Sequence, residues 1–320
     1  MLTAPLPEAL QEALATTLGT TDLAAASALL SERYREPGTG RPVARSRDEV
    51  LAYAAARLPA TYAAARAVFG EVAARTPALT PRTHLDLGSG PGTALWAARE
   101  AWPTITDRSA LEAEPEMRRL ARELAGFDPS GGSVPDAIPD GPFDLVSAVY
   151  LLGELPPAGL AETVRRAWAV CAGALVLVEP GTPAGSARIL AARELLLGLG
   201  GTIVAPCPHG RACPLASLPG EWCHFAVRVA RSQAHRTAKR AQLGHEDEKF
   251  AYVAVVRTPG TPAVARVLRH PQLRPGHVVL ELCAADGVHT ETVSKRQGER
   301  YRRARSLDWG SAFDDSAPAG

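Results

Sequence analysis

The stretch His84-Leu-Asp-Leu-Gly-Ser-Gly-Pro-Gly-Thr93 constrains the fold of this chain more than any other. It reads as a short apolar strand carrying Asp86, a turn with Gly88, Gly90 and Gly92, and a helix start at Ala94-Leu-Trp-Ala-Ala98. Strand, glycine turn and helix together cradle a nucleotide-like ligand. Glycine lets the backbone approach without a Cβ in the way, and the helix N-terminus offers free N–H groups and partial positive charge. The spacing Asp-x-Gly-x-Gly-x-Gly differs from the Gly-x-Gly-x-x-Gly of dinucleotide sites. A ligand with an amino-acid end suits it better than a pyrophosphate.

That stretch resembles the first motif of the S-adenosylmethionine-dependent methyltransferases. The resemblance implies cofactor contacts from Asp86, Gly88, Gly90 and Gly92. Downstream, Ile105 to Ala113 predicts a second strand running into Leu111-Glu-Ala-Glu114, then a helix from Pro115. An acid at about this distance takes both ribose hydroxyls, a place that Glu112 fits best, with Glu114 as the alternative. Phe143 to Tyr150 predicts a strand apolar on both faces, and Gly173 to Pro183 a fifth strand ending in Glu179, before a helix from Ala187 to Leu197. Ligands of open α/β sheets sit beyond the carboxyl ends of the strands, where Asp86, Glu112, Tyr150 and Glu179 all fall. The expected fold class is α/β, a doubly wound Rossmann-like methyltransferase sheet.

The first 80 residues predict helices: Pro7 to Leu18, Thr21 to Tyr34 capped by Thr21 or Asp22, and Arg47 to Gly70 through a break at Pro59. Such a prelude covers a sheet edge or forms a lid. Arg57, Tyr62 and Arg66 are positioned either to line a ligand entrance or, more simply, to face solvent. The chain has 320 residues, 46% of them hydrophobic, enough for a large domain with an appendage. It shows no run of 18 apolar residues and no basic, apolar leader, so the expectation is a monomer in the cytoplasm with no membrane partner.

The cysteines set the chain apart. Cys207, Cys213, Cys223 and Cys283 lie in loop-like or turn-flanked positions of the last 120 residues, whereas Cys171 reads as a core residue of an apolar helix. Disulfides are disfavoured in the cytoplasm, so a metal or redox role is the expectation. Zinc sites favour Cys-x2–4-Cys pairs; here the gaps are five, nine and fifty-nine residues. Wide gaps suit a cubane iron–sulfur cluster, whose four thiolates are farther apart. Zinc stays open as the alternative, because His209 and His224 flank the cysteines and could replace one or two of them.

Several motifs together carry a more specific resemblance: Pro59-Ala-Thr-Tyr62, the glycine loop, Val178-Glu-Pro-Gly-Thr-Pro183, Cys207-Pro-His209, Trp222-Cys-His-Phe225, Lys249-Phe-Ala-Tyr252 and the segment from Tyr301 to Trp309. Over roughly residues 30–310 the chain resembles the methyltransferase-like protein family of the mitochondrial ribosomal small subunit and its bacterial relatives. The resemblance implies S-adenosylmethionine, a 4Fe-4S cluster on Cys207, Cys213, Cys223 and Cys283, and association with the small ribosomal subunit and its rRNA during assembly. Mitochondrial members are taken to have lost transfer activity. No presequence is evident, so a bacterial member is the expectation. Where amino-group methyltransferases carry Asn/Asp-Pro-Pro-Tyr, this chain reads Tyr150-Leu-Leu-Gly-Glu154, and no catalytic residue can be named. Two functions follow: an assembly factor that uses cofactor and cluster as structural or sensing elements, or an active rRNA methyltransferase.

Charge favours an RNA partner for the C-terminal part. Residues 1–200 carry 18 Lys+Arg against 23 Asp+Glu, residues 201–320 carry 17 against 11. Arg228, Arg231, Arg236, Lys239 and Arg240 recur along a predicted helix from Phe225 to Ala241, and Arg302 and Arg303 belong to a later cluster with Lys295, Arg296, Arg300 and Arg305. Clusters of this kind neutralise phosphates. Val278 to Leu282 and Val288 to Val293 around Ala285-Asp-Gly287 predict a β-hairpin. The expected organisation is helical residues 1–80, a methyltransferase-like domain 81–204, a cysteine-rich basic segment 205–257 completing it, a small β module 258–310 and a disordered tail 311–320.

Overall fold

The computed structural model describes residues 5–19, 23–33, 46–230 and 244–314. The expected cap at Thr21 or Asp22 lies outside them. Four helices come first: α1 (Glu8–Leu18), α2 (Ala24–Arg33), α3 (Arg47–Ala56) and α4 (Leu58–Arg75). Ser46 caps α3 by accepting from the Glu49 amide at 3.3 Å. Pro59 sits in the first turn of α4, where its missing N–H costs nothing. The helix breaks at Arg57 and restarts, as the sequence suggests.

An alternating run follows: β1 (Thr83–Leu87), α5 (Thr93–Ala101), β2 (Asp107–Glu112), α6 (Pro115–Ala125), β3 (Ser130–Gly131), β4 (Phe143–Val149), α7 (Gly159–Val170), β5 (Cys171–Pro180), α8 (Pro183–Gly198) and β6 (Thr202–Ala205). The strands from β3 through β2, β1 and β4 to β5 are parallel. Cys171 opens β5 rather than lying in a helix, and it is buried as expected. The order reverses between β1 and β4, which opens a crevice beyond their carboxyl ends.

Two further strands, β7 (Phe225–Ala230) and β8 (His245–Val256), complete the sheet. One edge of β8 pairs antiparallel with β5; the other takes β6 at its C-terminal end and β7 at its N-terminal end. The helix expected from Phe225 to Ala241 is therefore a strand up to residue 230, and residues 231–243 lie outside the described set. Val227 and Val229 fit a pleated surface, and β8 supplies the hydrogen bonds.

A second, antiparallel sheet holds β9 (Ala265–Val267), β10 (Gln272–Arg274), β11 (His277–Ala284), β12 (Gly287–Ser294) and β13 (Ala312–Phe313), with α9 (Glu299–Ser306) against it. The predicted hairpin is β11–β12, in register from His277 opposite Ser294 to Ala284 opposite Gly287. The expected disordered tail does not begin at Ser311. Phe313 is buried in the core of this module, and Asp314 forms a bidentate pair with Arg75 at 2.9 and 3.0 Å. Arg266 joins the two sheets. Its buried guanidinium donates to the Pro206 carbonyl at 2.9 Å, the Gly310 carbonyl at 2.9 Å and Glu71 on α4 at 2.7 Å.

Candidate functional site

The glycine loop folds as its composition requires. Gly88, Gly90 and Gly92 all have positive φ, at +63°, +52° and +82°. A Cβ on Gly88 would lie 2.6 Å from Cδ1 of Leu151, so the loop can lie close to the chain after β4 only because glycine is there. A Cβ on Gly90 would point into open space, leaving its backbone approachable.

Beneath the loop, Asp86 is buried and accepts from the Ser147 hydroxyl at 2.6 Å. Ser147 has one proton to give, so His84, whose Nε2 lies 2.8 Å from the same hydroxyl, carries its own proton on Nε2 and donates it. Burial holds His84 neutral, lowering it to about 3, and pushes Asp86 up to about 7 against the opposing Ser147 bond.

Glu112 ends β2, and both its carboxylate oxygens are engaged by backbone. One accepts from the Gly90 amide at 2.8 Å, the other from the Glu114 amide at 2.8 Å. Each keeps acceptor capacity, since a carboxylate offers about four lone-pair sites. Glu114 precedes α6 without a side-chain cap. Glu154 and Glu179 gather nearby. Glu179 is fully buried, receives Nε of Arg188 at 2.8 Å, and is raised by burial. Glu154 is raised by the protein around it and by Glu112, Glu179 and Glu114. The crevice floor is strongly acidic.

Tyr150 turns away from the glycine loop into a second network. Its φ is +61°, a left-handed value uncommon for a side-chain-bearing residue, and its hydroxyl donates to Glu248 on β8 at 2.7 Å. Arg57 grips the same carboxylate through two bonds of 2.9 and 3.2 Å and lies 5.9 Å from the Tyr150 ring centroid. Tyr53 on α3 completes the group and senses Glu154 and Glu112 electrostatically. Of the three entrance candidates, Arg57 is thus bound into the crevice wall, Tyr62 is buried against Glu100, and Arg66 pairs with Glu100 outside. Sequence reasoning missed Tyr53 and Glu248, and no local motif marks either.

The four cysteines converge. Cys207, Cys213, Cys223 and Cys283 all line one cavity of about 320 Å³ together with Arg193, Arg266 and His209. Burial raises the Cys207 thiol while Arg193 and Arg266 oppose it; burial and the neighbouring thiols raise Cys223 and Cys283. Arg193 on α8 is buried and donates to the carbonyls of His209 at 3.0 Å and Arg211 at 2.6 Å, fixing the first cysteine loop. Among the described residues no three His, Cys, Asp or Glu side chains are close enough to hold one ion. His224 is not among the cavity residues; it stacks on Trp222 at 5.1 Å and meets the edge of Trp309 at 4.7 Å.

Of the expected RNA contacts, Arg228 is exposed but bound by Asp247 at 2.8 and 3.1 Å, and Arg302 pairs with Glu299. Arg303 is exposed on α9. Arg231, Arg236, Lys239 and Arg240 lie outside the described residues. No helix among the described residues is long and apolar enough to cross a membrane.

The sequence profile described as mitochondrial small ribosomal subunit Rsm22 matches residues 47–314. The chain is 33% identical over 298 residues to ribosome assembly protein METTL17, mitochondrial, of Homo sapiens, covering 84% of this chain and 63% of that protein. It is 26% identical over 323 residues to Rsm22-cox11 tandem protein 2, mitochondrial, of Schizosaccharomyces pombe, covering 83% of this chain and 43% of the relative. The chain thus spans less than two thirds of either relative. A magnesium protoporphyrin IX methyltransferase from Synechocystis, solved with bound S-adenosylmethionine, aligns with a TM-score of 0.40 at 13% identity, covering 80% of this chain and all of that one. The expected cytoplasmic location is overturned by the relatives, which are mitochondrial proteins by name.

Proposed function

Because the chain belongs to the mitochondrial small ribosomal subunit Rsm22 family, we propose that it is an assembly factor of the small ribosomal subunit that binds rRNA. In this reading it carries S-adenosylmethionine over the glycine loop and a 4Fe-4S cluster on Cys207, Cys213, Cys223 and Cys283. The observation that carries the reading is the convergence of four thiols, spread from Cys207 to Cys283 along the chain, on one cavity. The donor set fits the group. A cubane wants four thiolates at separations no single ion spans, and it carries negative charge. The two buried guanidiniums beside these thiols, Arg193 and Arg266, offset such charge. When bound, the cluster supplies a cross-link between the cysteine loops and the β module, and loading it is linked to folding. Zinc fits less well, since His224 is held between two tryptophans.

For the cofactor, the approachable backbone at Gly90, the acceptor capacity of Glu112 and the crevice at the reversal of strand order support S-adenosylmethionine. Where an acceptor would sit, Tyr150, Glu248 and Arg57 are bound to one another, which favours an assembly role over active rRNA methylation.

The test is anaerobic purification of wild type, Cys213→Ser and Cys171→Ser, with an absorption spectrum and iron, sulfide and zinc analysis. About four irons per chain and a broad visible band are expected in wild type and Cys171→Ser, and their loss in Cys213→Ser. Stoichiometric zinc without sulfide would overturn the cluster and bring His209 into the ligand set.

A further inference from the structure

Several cations of the C-terminal part are neutralised by an acid: Arg228 by Asp247, Arg269 by Glu221, Arg300 by Glu291 and, within one helix, Arg302 by Glu299. Arg274 and Arg305 of the β module differ from these. Among the described residues neither Arg274 nor Arg305 has an acidic partner. Arg274 reaches the Gln272 side chain at 3.2 Å, and Arg305 lies 5.9 Å from the Tyr301 ring centroid. Both line one cavity of about 310 Å³, distinct from the cysteine cavity, whose wall also includes His277, Tyr301 and the turn Pro275-Gly276.

The cavity is built from rigid parts. Pro275 and Gly276, the latter at φ +79°, join β10 to β11 and leave Arg274 and His277 directly opposite. Opposed residues have Cβ atoms about 5 Å apart on one face, so two cation-capable groups are aimed at the same space. The Lys295 amide pins the turn by donating to the Gly276 carbonyl at 2.7 Å. Across the cavity, Tyr301 and Arg305 stand four residues apart on α9 and share a helix face. A basic residue in a last helical turn complements the helix dipole, which accounts for Arg305 alone. It does not account for Arg274 and His277, which come from another element.

Two guanidiniums and an imidazole converging without a carboxylate suit a phosphate group, whose oxygens accept several charge-assisted bonds at once. We infer that this cavity grips a backbone phosphate of RNA, with Arg274 and Arg305 as guanidinium donors and His277 as a third. The inference rests on the RNA-binding reading above and adds a place to it.

The test uses the full chain, purified anaerobically, as wild type, Arg274→Ala/Arg305→Ala and the surface control Arg165→Ala. Binding of a fluorescein-labelled single-stranded RNA is read by anisotropy between about 50 and about 200 mM salt. The double variant is expected to bind roughly tenfold more weakly or worse, with a salt slope shallower by about 0.7 for one lost single-strand phosphate contact. The control keeps wild-type values. In parallel, inorganic phosphate is titrated while the His277 ring signals, assigned through His277→Gln, are followed by NMR. Saturable shifts in wild type that vanish in the double variant and are competed by RNA support the inference. Wild-type affinity and slope in the double variant would overturn it while leaving RNA binding intact. Phosphate shifts that RNA fails to compete would make this a free-phosphate site, and no shifts at all would remove the site.

Discussion

Replacing Asp86 by Asn should make the ligand-free protein more stable at pH 8, and the sign of that effect should depend on pH. The carboxyl is buried, and its folded-state value of about 7 stands above an ordinary 3.8. At pH 8 the group is ionised in both states, so folding bears the whole cost of burying the charge. At 1.36 kcal/mol for each of about three pH units, that cost is about 4 kcal/mol. As pH falls through 7 the folded state takes up a proton while the unfolded chain stays ionised to about pH 4. Wild-type stability therefore gains this contribution across that window. Asn still accepts from the Ser147 hydroxyl, but its amide N–H groups lack a partner and take back about 1–3 kcal/mol. The expected outcome is a variant more stable by about 1–3 kcal/mol at pH 8 and less stable than wild type below about pH 5. Urea unfolding of both proteins, followed by tryptophan fluorescence, measures the difference at each pH. A difference that stays flat from pH 4 to 8, or a variant less stable at pH 8, refutes the reasoning. If it holds, the chain keeps at its crevice a charge that its fold alone would discard.

Gly88→Ala should cost about 1–2 kcal/mol from its left-handed backbone alone, and more as Leu151 is displaced; calorimetric titration with S-adenosylmethionine should show weakened binding, whereas unchanged affinity would detach the cofactor from this loop. Arg266→Ala leaves the Pro206 and Gly310 carbonyls without their donor, while Glu71 keeps Arg75 at 2.9 Å, so the cost is about 1–3 kcal/mol. Limited proteolysis should then cut between the two sheets well below the temperature at which the main sheet unfolds, and a single unshifted transition would count against Arg266 as the joint.

The crevice was legible in sequence because glycine spacing reports backbone geometry directly. Gly88, Gly90 and Gly92 all have positive φ, and the Gly90 amide donates to Glu112, a contact that the spacing did not announce. The cysteines stood out in sequence by their loop-like positions, but nothing local says that Cys283 returns to Cys207. Phe225 to Ala230 was misread because an Ala, Arg and Lys-rich sequel argues for helix, while the decision belonged to β8, a distant strand with free hydrogen-bonding groups. Runs of Arg misled for a related reason: sequence counts a cation but not the acid facing it, as with Arg228 and Asp247 or Arg300 and Glu291. The Arg57–Glu248–Tyr150 network joins residues nearly two hundred positions apart and leaves no local signature.

The placement of β8 gives the fold a timetable. Residues 207 to 223, with three of the four clustered cysteines, form an excursion between two strands of one sheet, and the strand that closes this excursion is made only after it. The fourth cysteine and Arg266 come later still, on strands of the second sheet. A growing chain therefore presents three thiols around an unfinished wall, and the wall becomes complete only when Arg266 and Cys283 have emerged. Whatever occupies that cavity with all four thiols can do so only after Cys283 has been made, so its capture follows the pairing of β8 and the arrival of the second sheet.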